Sequence, residues 1–247
     1  MAGAVASGVN SVAGGGSLVS FPTLHLGMGI PAIPANATNA VSLWPGSFAA
    51  AFSGREHLAE VKAQFHRMIL PTVVGSVLGS LLLSLTPQNV FDVLVPLLIV
   101  LAAVVLLLQP RIKAWATERS LAHAKPVVSP LLGLTIQFLV ALYGGYFGAG
   151  MGILMLGAFA ISMDATFHQI NAVKNALAVL INATATVVFV YQRLVLWAPL
   201  VALASGALVG GYAIGRISQR LDPDKLRIGI SVYGFVMAGY LAFKAFH

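Results

Sequence analysis

Along most of this chain the apolar residues neither alternate nor recur on one helical face; they run in blocks. Residues 68–85 (MILPTVVGSVLGSLLLSL), 88–108, 196–215 and 226–243 are each 18–21 residues long with at most one charge. A helix rises ~1.5 Å per residue, so each block can cross a hydrocarbon core of roughly 30 Å. Two more spans, 36–53 and 169–191, open on Asn-rich turns (ANATNA and INAVKNA) and are otherwise apolar. A different signal sits at 11–22, SVAGGGSLVSFP, where three glycines break an apolar run with no polar flanks. The pattern predicts an all-α polytopic membrane protein.

Composition agrees. Charged residues make up 9% of the chain and the mean hydropathy is +0.90, against about 25% charged in soluble domains. The chain has no cysteine, which excludes disulfides, thiolate catalysis and Cys metal sites. The start, MAGAVASGVN, lacks a basic n-region and does not read as a cleavable signal. A net charge of +7 would suit nucleic acid, but the basic residues lie in short loops between spans, as cytoplasmic loops do. No nucleic-acid partner is expected; the lipid bilayer is.

The chain repeats. Shifted by 135 residues, VAGGGSLVSFPTL (12–24) falls on FGAGMGILMLGAF (147–159), and 34–52 falls on 169–187 without a gap. Gly15 meets Gly150, Asn36 meets Asn171, and Ala37 meets Ala172. At slightly different offsets Gly75 and Gly79 match Gly206 and Gly210, a small-xxx-small spacing that permits close helix approach. Thr86-Pro87 and Asp222-Pro223 are matching helix starts. The predicted organisation is a first repeat (1–108), a basic cytoplasmic linker (109–126) and a second repeat (127–247).

Lys and Arg orient the halves. Loops 54–67, 109–126 and 216–227 carry three or four basic residues each, whereas 27–35 and 86–89 carry none. With the basic loops inside, span 36–53 runs outward to inward and 169–191 the reverse. The halves are then inverted, provided that 127–163 enters and leaves on the cytoplasmic side and 1–28 does so on the outer side. The predicted fold is two inverted repeats, each a re-entrant Gly-broken helical hairpin plus three transmembrane helices. Non-helical backbone at membrane depth persists only where protein buries it or it lines a cavity, and broken helices at the midplane hold the substrate in many transporters. The plainer reading makes the glycines a tight turn only.

The pattern Gly14-Gly15-Gly16, Pro22-Thr23-Leu24 and Ala35-Asn36-Ala37-Thr38-Asn39 resembles the sulfite exporter TauE/SafE family, over nearly the whole chain. The resemblance implies transport of small sulfur oxyanions or organosulfonates, such as sulfite, thiosulfate or sulfoacetate, across the bacterial inner membrane. In the second half Met151 and Gly157 stand where the first has Gly16 and Pro22. Export against import, the coupling ion and a homodimeric state are left open.

An oxyanion in a dry site needs N–H or O–H donors and positive charge. Gly14, Gly15, Gly16 and Ser17 on the first tip, and Gly148, Gly150 and Gly152 on the second, could supply backbone donors at a half-helix N-terminus. Asn36, Thr38 and Asn39 open one span; Asn171, Lys174 and Asn175 open its counterpart. Lys174 stands where the first half has Asn39, and an intramembrane cation is a functional candidate; its alternative is a snorkelling lysine. Ser17 could bind ligand or cap the returning helix. His25 is expected to pack or hydrogen-bond within the hairpin, proton shuttling being the alternative. No cofactor is expected. Ser17 with His25 is poor support for a serine protease, and REHLAEVKAQFH lacks the His-Glu-x-x-His of a metalloprotease. A channel on the same scaffold is the closer rival to a carrier.

Overall fold

The computed structural model describes residues 16–122, 125–205 and 223–246. All its regular elements there are helical: α1 (Gly16–Pro22) running into a π-turn (Thr23–Gly27), α2 (Ala32–Ser53), α3 (Arg55–Glu60), α4 (Lys62–Leu85), α5 (Gln88–Leu121), α6 (Pro130–Tyr146), α7 (Met151–Ser162), α8 (Phe167–Tyr191) and α9 (Pro223–Phe246). Residues 197–205 are also helical. The rest of the predicted span 196–215, with Gly206 and Gly210, lies outside the described residues, as do Gly14, Gly15 and Asp222.

Among the described residues, four helices are long and apolar enough to cross a membrane: α4, α5, α8 and residues 224–245 of α9. The surfaces of these helices and of α6 are inside out relative to a soluble protein. Leu70, Leu97, Leu131 and Val187 are exposed, whereas Thr72, Ser76, Ser80 and Gln137 are fully buried. Lipid solvates leucine at no cost, so polar side chains turn inward to find partners. Gln137 Nε2 donates to Thr72 Oγ1 at 2.9 Å, and the Ser76 and Thr184 hydroxyls meet at 2.5 Å.

Two of the basic loops are largely helical. Residues 55–60 form α3, and α5 runs 34 residues, through Pro110 to Leu121. At ~1.5 Å per residue α5 is ~51 Å long, well beyond a bilayer core. Its extension is held by contacts that sequence spacing does not reveal. Ala116 is fully buried in a core with Met155, Phe159 and Ile170; Arg119 Nε donates to Ala160 O at 3.0 Å, and Ser120 Oγ accepts the Phe167 N–H at 2.8 Å.

The described residues form two compact units, each drawing on both halves of the sequence. One comprises those of Met1–Ser42, Leu83–Leu107 and Phe189–His247. In it α9 packs on α1, and Leu18, Phe21, Phe91, Ile99 and Ala103 are buried. The other comprises Leu43–Leu82 and Leu108–Val188, and its core runs through Met68, Ala141, Met155, Phe159, Val173, Leu177 and Ile181.

In this second unit α6 and α7 form an antiparallel hairpin of 17 and 12 residues, ~26 and ~18 Å long, each too short to span the core. Its two ends are tied together: Val127 N donates to Ile161 O at 2.8 Å. α6 lies backbone to backbone on α4. A Cβ at Gly75 would come 2.5 Å from the Phe138 carbonyl oxygen, and one at Gly79 or Gly145 would overlap the Leu142 or Ser76 carbonyl. The close approach expected of Gly75 and Gly79 is present, and Gly145 is its reciprocal.

α2 and α8 contact each other in antiparallel order within this unit. Asn182 Nδ2 donates to Ser47 Oγ at 2.9 Å, Asn175 Nδ2 to Ala50 O at 3.3 Å, and Gly54 faces Ala172. Ser47 and Asn182 are 135 residues apart, the offset of the sequence repeat, and the starts of α2 and α8 (Ala32 and Phe167) differ by the same step.

Candidate functional site: the second hairpin tip

The chain reverses between α6 and α7 in the four residues Phe147–Ala149 and Gly150. Gly148 and Gly150 both have φ of 78°, left-handed backbone that costs an L side chain roughly 1–2 kcal/mol. At Gly148 a Cβ would also stand 2.9 Å from Gly144 O. The sequence Gly-Ala-Gly is therefore what allows so short a reversal.

The tip's carbonyls are largely engaged. Tyr143 O accepts from Phe147 N (2.9 Å) and Gly148 N (3.1 Å), Gly148 O from Met151 N (3.2 Å), and Gly150 O from Ile153 N (3.0 Å). The Tyr143 hydroxyl donates to Ala149 O at 2.6 Å, pinning the turn; this role was not visible in the sequence, where Tyr143 is one of several aromatic residues in LYGGYF. The N–H groups of Ala149, Gly150 and Gly152 have no hydrogen-bond acceptor among the described residues. They cluster at the N-terminus of α7, where the helix dipole adds partial positive charge.

Lys174 supplies a full charge. Its Cδ lies 3.9 Å from where a Cβ on Gly152 would be, so the stem of the lysine runs over the glycine at the start of α7. It is half-buried and forms no ion pair among the described residues. Asn171, one turn earlier on α8, is half-buried. Asn175 instead ties α8 to Ala50 O of α2. The geometry thus gathers Gly148, Gly150, Gly152 and Lys174 and leaves Asn175 in a packing role. N–H donors without acceptors at a helix N-terminus, with a lysine side chain passing over one of them, are groups that can take a small oxyanion, hydrogen bonds to a charged acceptor being about twice as strong as neutral ones.

The first-half candidates are placed differently. Gly16 and Ser17 are the first described residues and lie in α1. Asn36, Thr38 and Asn39 are buried at 2%, 0% and 2% exposure. Thr38 Oγ1 accepts the Leu196 N–H at 3.0 Å. Ser20 Oγ bonds Asn39 Oδ1 and lies 2.9 Å from Gly16 O. Here side chains satisfy one another.

The chain belongs to the sulfite exporter TauE/SafE family, whose sequence profile matches residues 1–241. It is a multi-pass membrane transporter, not an enzyme. It is 22% identical over 241 residues to a "Probable membrane transporter protein" of Haemophilus influenzae, covering 98% of this chain and 92% of the relative. It is 25% identical to "Probable membrane transporter protein ORF9" of Sinorhizobium sp, with 92% and 87% covered. It is 26% identical to "Probable membrane transporter protein YfcA" of Escherichia coli K12, with 96% and 86% covered. No solved structure matches.

Proposed function

We propose that this protein carries small sulfur oxyanions or organosulfonates, such as sulfite, thiosulfate or sulfoacetate, across the bacterial inner membrane by alternating access. The second hairpin tip is its anion-binding element. One observation supports the reading: the N–H groups of Ala149, Gly150 and Gly152, without acceptors among the described residues, lie at the N-terminus of α7, and the Lys174 side chain runs over Gly152 there. Sulfonyl oxygens accept several hydrogen bonds at once and spread one or two charges over them, which matches a cluster of N–H donors beside one cation. The family's description as sulfite exporters supports the substrate class. The antiparallel contacts between α2 and α8, one repeat apart in sequence, support inverted halves, and inverted halves are the basis of alternating access in many carriers.

Flux of a panel of sulfur oxyanions into proteoliposomes tests the reading. A carrier saturates with anion concentration and exchanges labelled for unlabelled substrate; flux that stays linear makes the protein a channel. Orientation is tested separately by single cysteines in this Cys-free chain. Positions 30 and 165 should label from opposite sides of the membrane, and labelling from one side would end the inverted topology.

A further inference from the structure

A second polar cluster lies in the unit that contains α1. A cavity of ≈ 100 Å³ is lined by His25, Asp92 and Lys244, with Val95, Leu241 and Ala245 as its apolar wall. His25 belongs to the π-turn at the end of the α1 arm, Asp92 to the start of α5 and Lys244 to the last turn of α9. These are the titratable side chains that face the cavity from the three elements around it.

Geometry fixes the tautomer of His25. Its Nδ1 is 2.7 Å from the Ile30 carbonyl oxygen, an atom that can only accept, so Nδ1 carries the hydrogen. Nε2 then keeps the lone pair and is the nitrogen able to take a proton. Phe21 stacks on the ring at 5.9 Å and holds its plane. Asp92 accepts Gln88 Nε2 at 2.7 Å, and it forms no ion pair with Lys244. Opposite charges therefore line one small cavity without closing on each other.

The cavity is joined by hydrogen bonds to the polar residues of α1 and α2. Gln88, which holds Asp92, also accepts the Ile33 N–H of α2 at 3.4 Å. α1, whose far end bears His25, meets α2 through Ser20 and Asn39. π-turns occur frequently at functional sites, and this one carries the imidazole.

We propose that the cavity is a proton-binding site, that His25 Nε2 takes the proton with the Asp92 carboxylate as counter-charge, and that this protonation couples transport to the proton gradient. The step is the addition of one proton from solvent to the neutral imidazole. It rests on the carrier reading above for its role in transport, but not for the protonation itself.

His25→Asn is the test, because asparagine retains an N–H for the Ile30 carbonyl and removes the titrating nitrogen. In the purified full chain without any anion, the parent should bind one proton more on acidification than His25→Asn, measured by potentiometric titration. In sulfite-loaded proteoliposomes with a trapped pH dye, the parent should move protons with the anion. His25→Asn and Asp92→Asn should lose that proton movement. If sulfite drives no flux in the parent, the carrier reading fails, and the proton-binding comparison still decides on His25. Should His25→Asn not purify, Asp92→Asn carries both measurements. A variant that keeps the parent's proton binding and proton movement overturns the proposal.

Discussion

Repeat positions 39 and 174 carry the same backbone role and opposite chemistry. Each lies near the start of a long helix, α2 or α8, whose first residues are one repeat step apart. In the first half the position is Asn39, buried and bonded to Ser20. In the second it is Lys174, half-buried, without an ion-pair partner, lying over Gly152. The scaffold was duplicated and the charge was not. A neutral pair can be satisfied in a dry contact, whereas an unpaired ammonium is costly to bury without an anion. The contrast teaches that backbone order can persist between repeats while the polar chemistry at matching positions diverges.

The harshest way to break this contrast is to unseat the second hairpin. Gly79→Leu places a side chain where even a Cβ overlaps the Leu142 carbonyl. Backbone cannot move aside as a side chain can, so the cost should exceed the usual 1–3 kcal/mol of overpacking. The expected outcome is loss of monodisperse protein on size exclusion; a normal elution profile and melting temperature would show that α4 and α6 can separate harmlessly.

Alanine at the tips comes next. Gly150→Ala meets the left-handed penalty of roughly 1–2 kcal/mol and sets a methyl among the free N–H groups. Transport should be abolished while the protein still inserts and purifies as a single species; serine should rescue in part and leucine should be worse. Gly15→Ala, at the matching repeat position, completes the pair. Transport near the parent level in both variants returns the glycines to mere turns.

Lys174→Asn gives the second half the residue of the first. Removing hydrogen bonds to a charged group worth about 1.5–3 kcal/mol should weaken anion binding ten- to over a hundredfold by calorimetry. An unchanged dissociation constant would make Lys174 a snorkelling residue.

The smallest effect belongs to Ser20→Ala. It removes one buried hydrogen bond, worth about 0.5–1.5 kcal/mol, so the melting temperature should fall slightly while anion affinity holds. Loss of affinity comparable to Lys174→Asn would mean that the first-half polar cluster binds substrate after all.

Much of this was legible in the sequence because it depends on local rules. Apolar blocks of 18–21 residues report a hydrocarbon solvent, and Gly148 and Gly150 report left-handed backbone at the break. Gly75 and Gly79 report a close helix contact, since only a missing side chain lets two backbones meet. The repeat step of 135, found by sliding the sequence, is the separation of the Ser47–Asn182 hydrogen bond.

What folding decided is which of the polar residues spend themselves on each other. Asn39 and Lys174, or Asn171 and Asn175, look alike as candidates because a side chain's chemistry says nothing about the partner opposite it. Ser20 claims Asn39, the Ala50 carbonyl claims Asn175, and Tyr143 claims the carbonyl of Ala149. The same holds for 109–121, whose basic residues read as a loop. The helix continues there because Ala116, Arg119 and Ser120 find α7 and α8 alongside. The sequence by itself determined the solvent, the breaks and the repeat, which arise from each residue's own conformational and hydration preferences. The tertiary structure decided which donors stay free, because a donor is free only when no neighbour distant in sequence has already taken it.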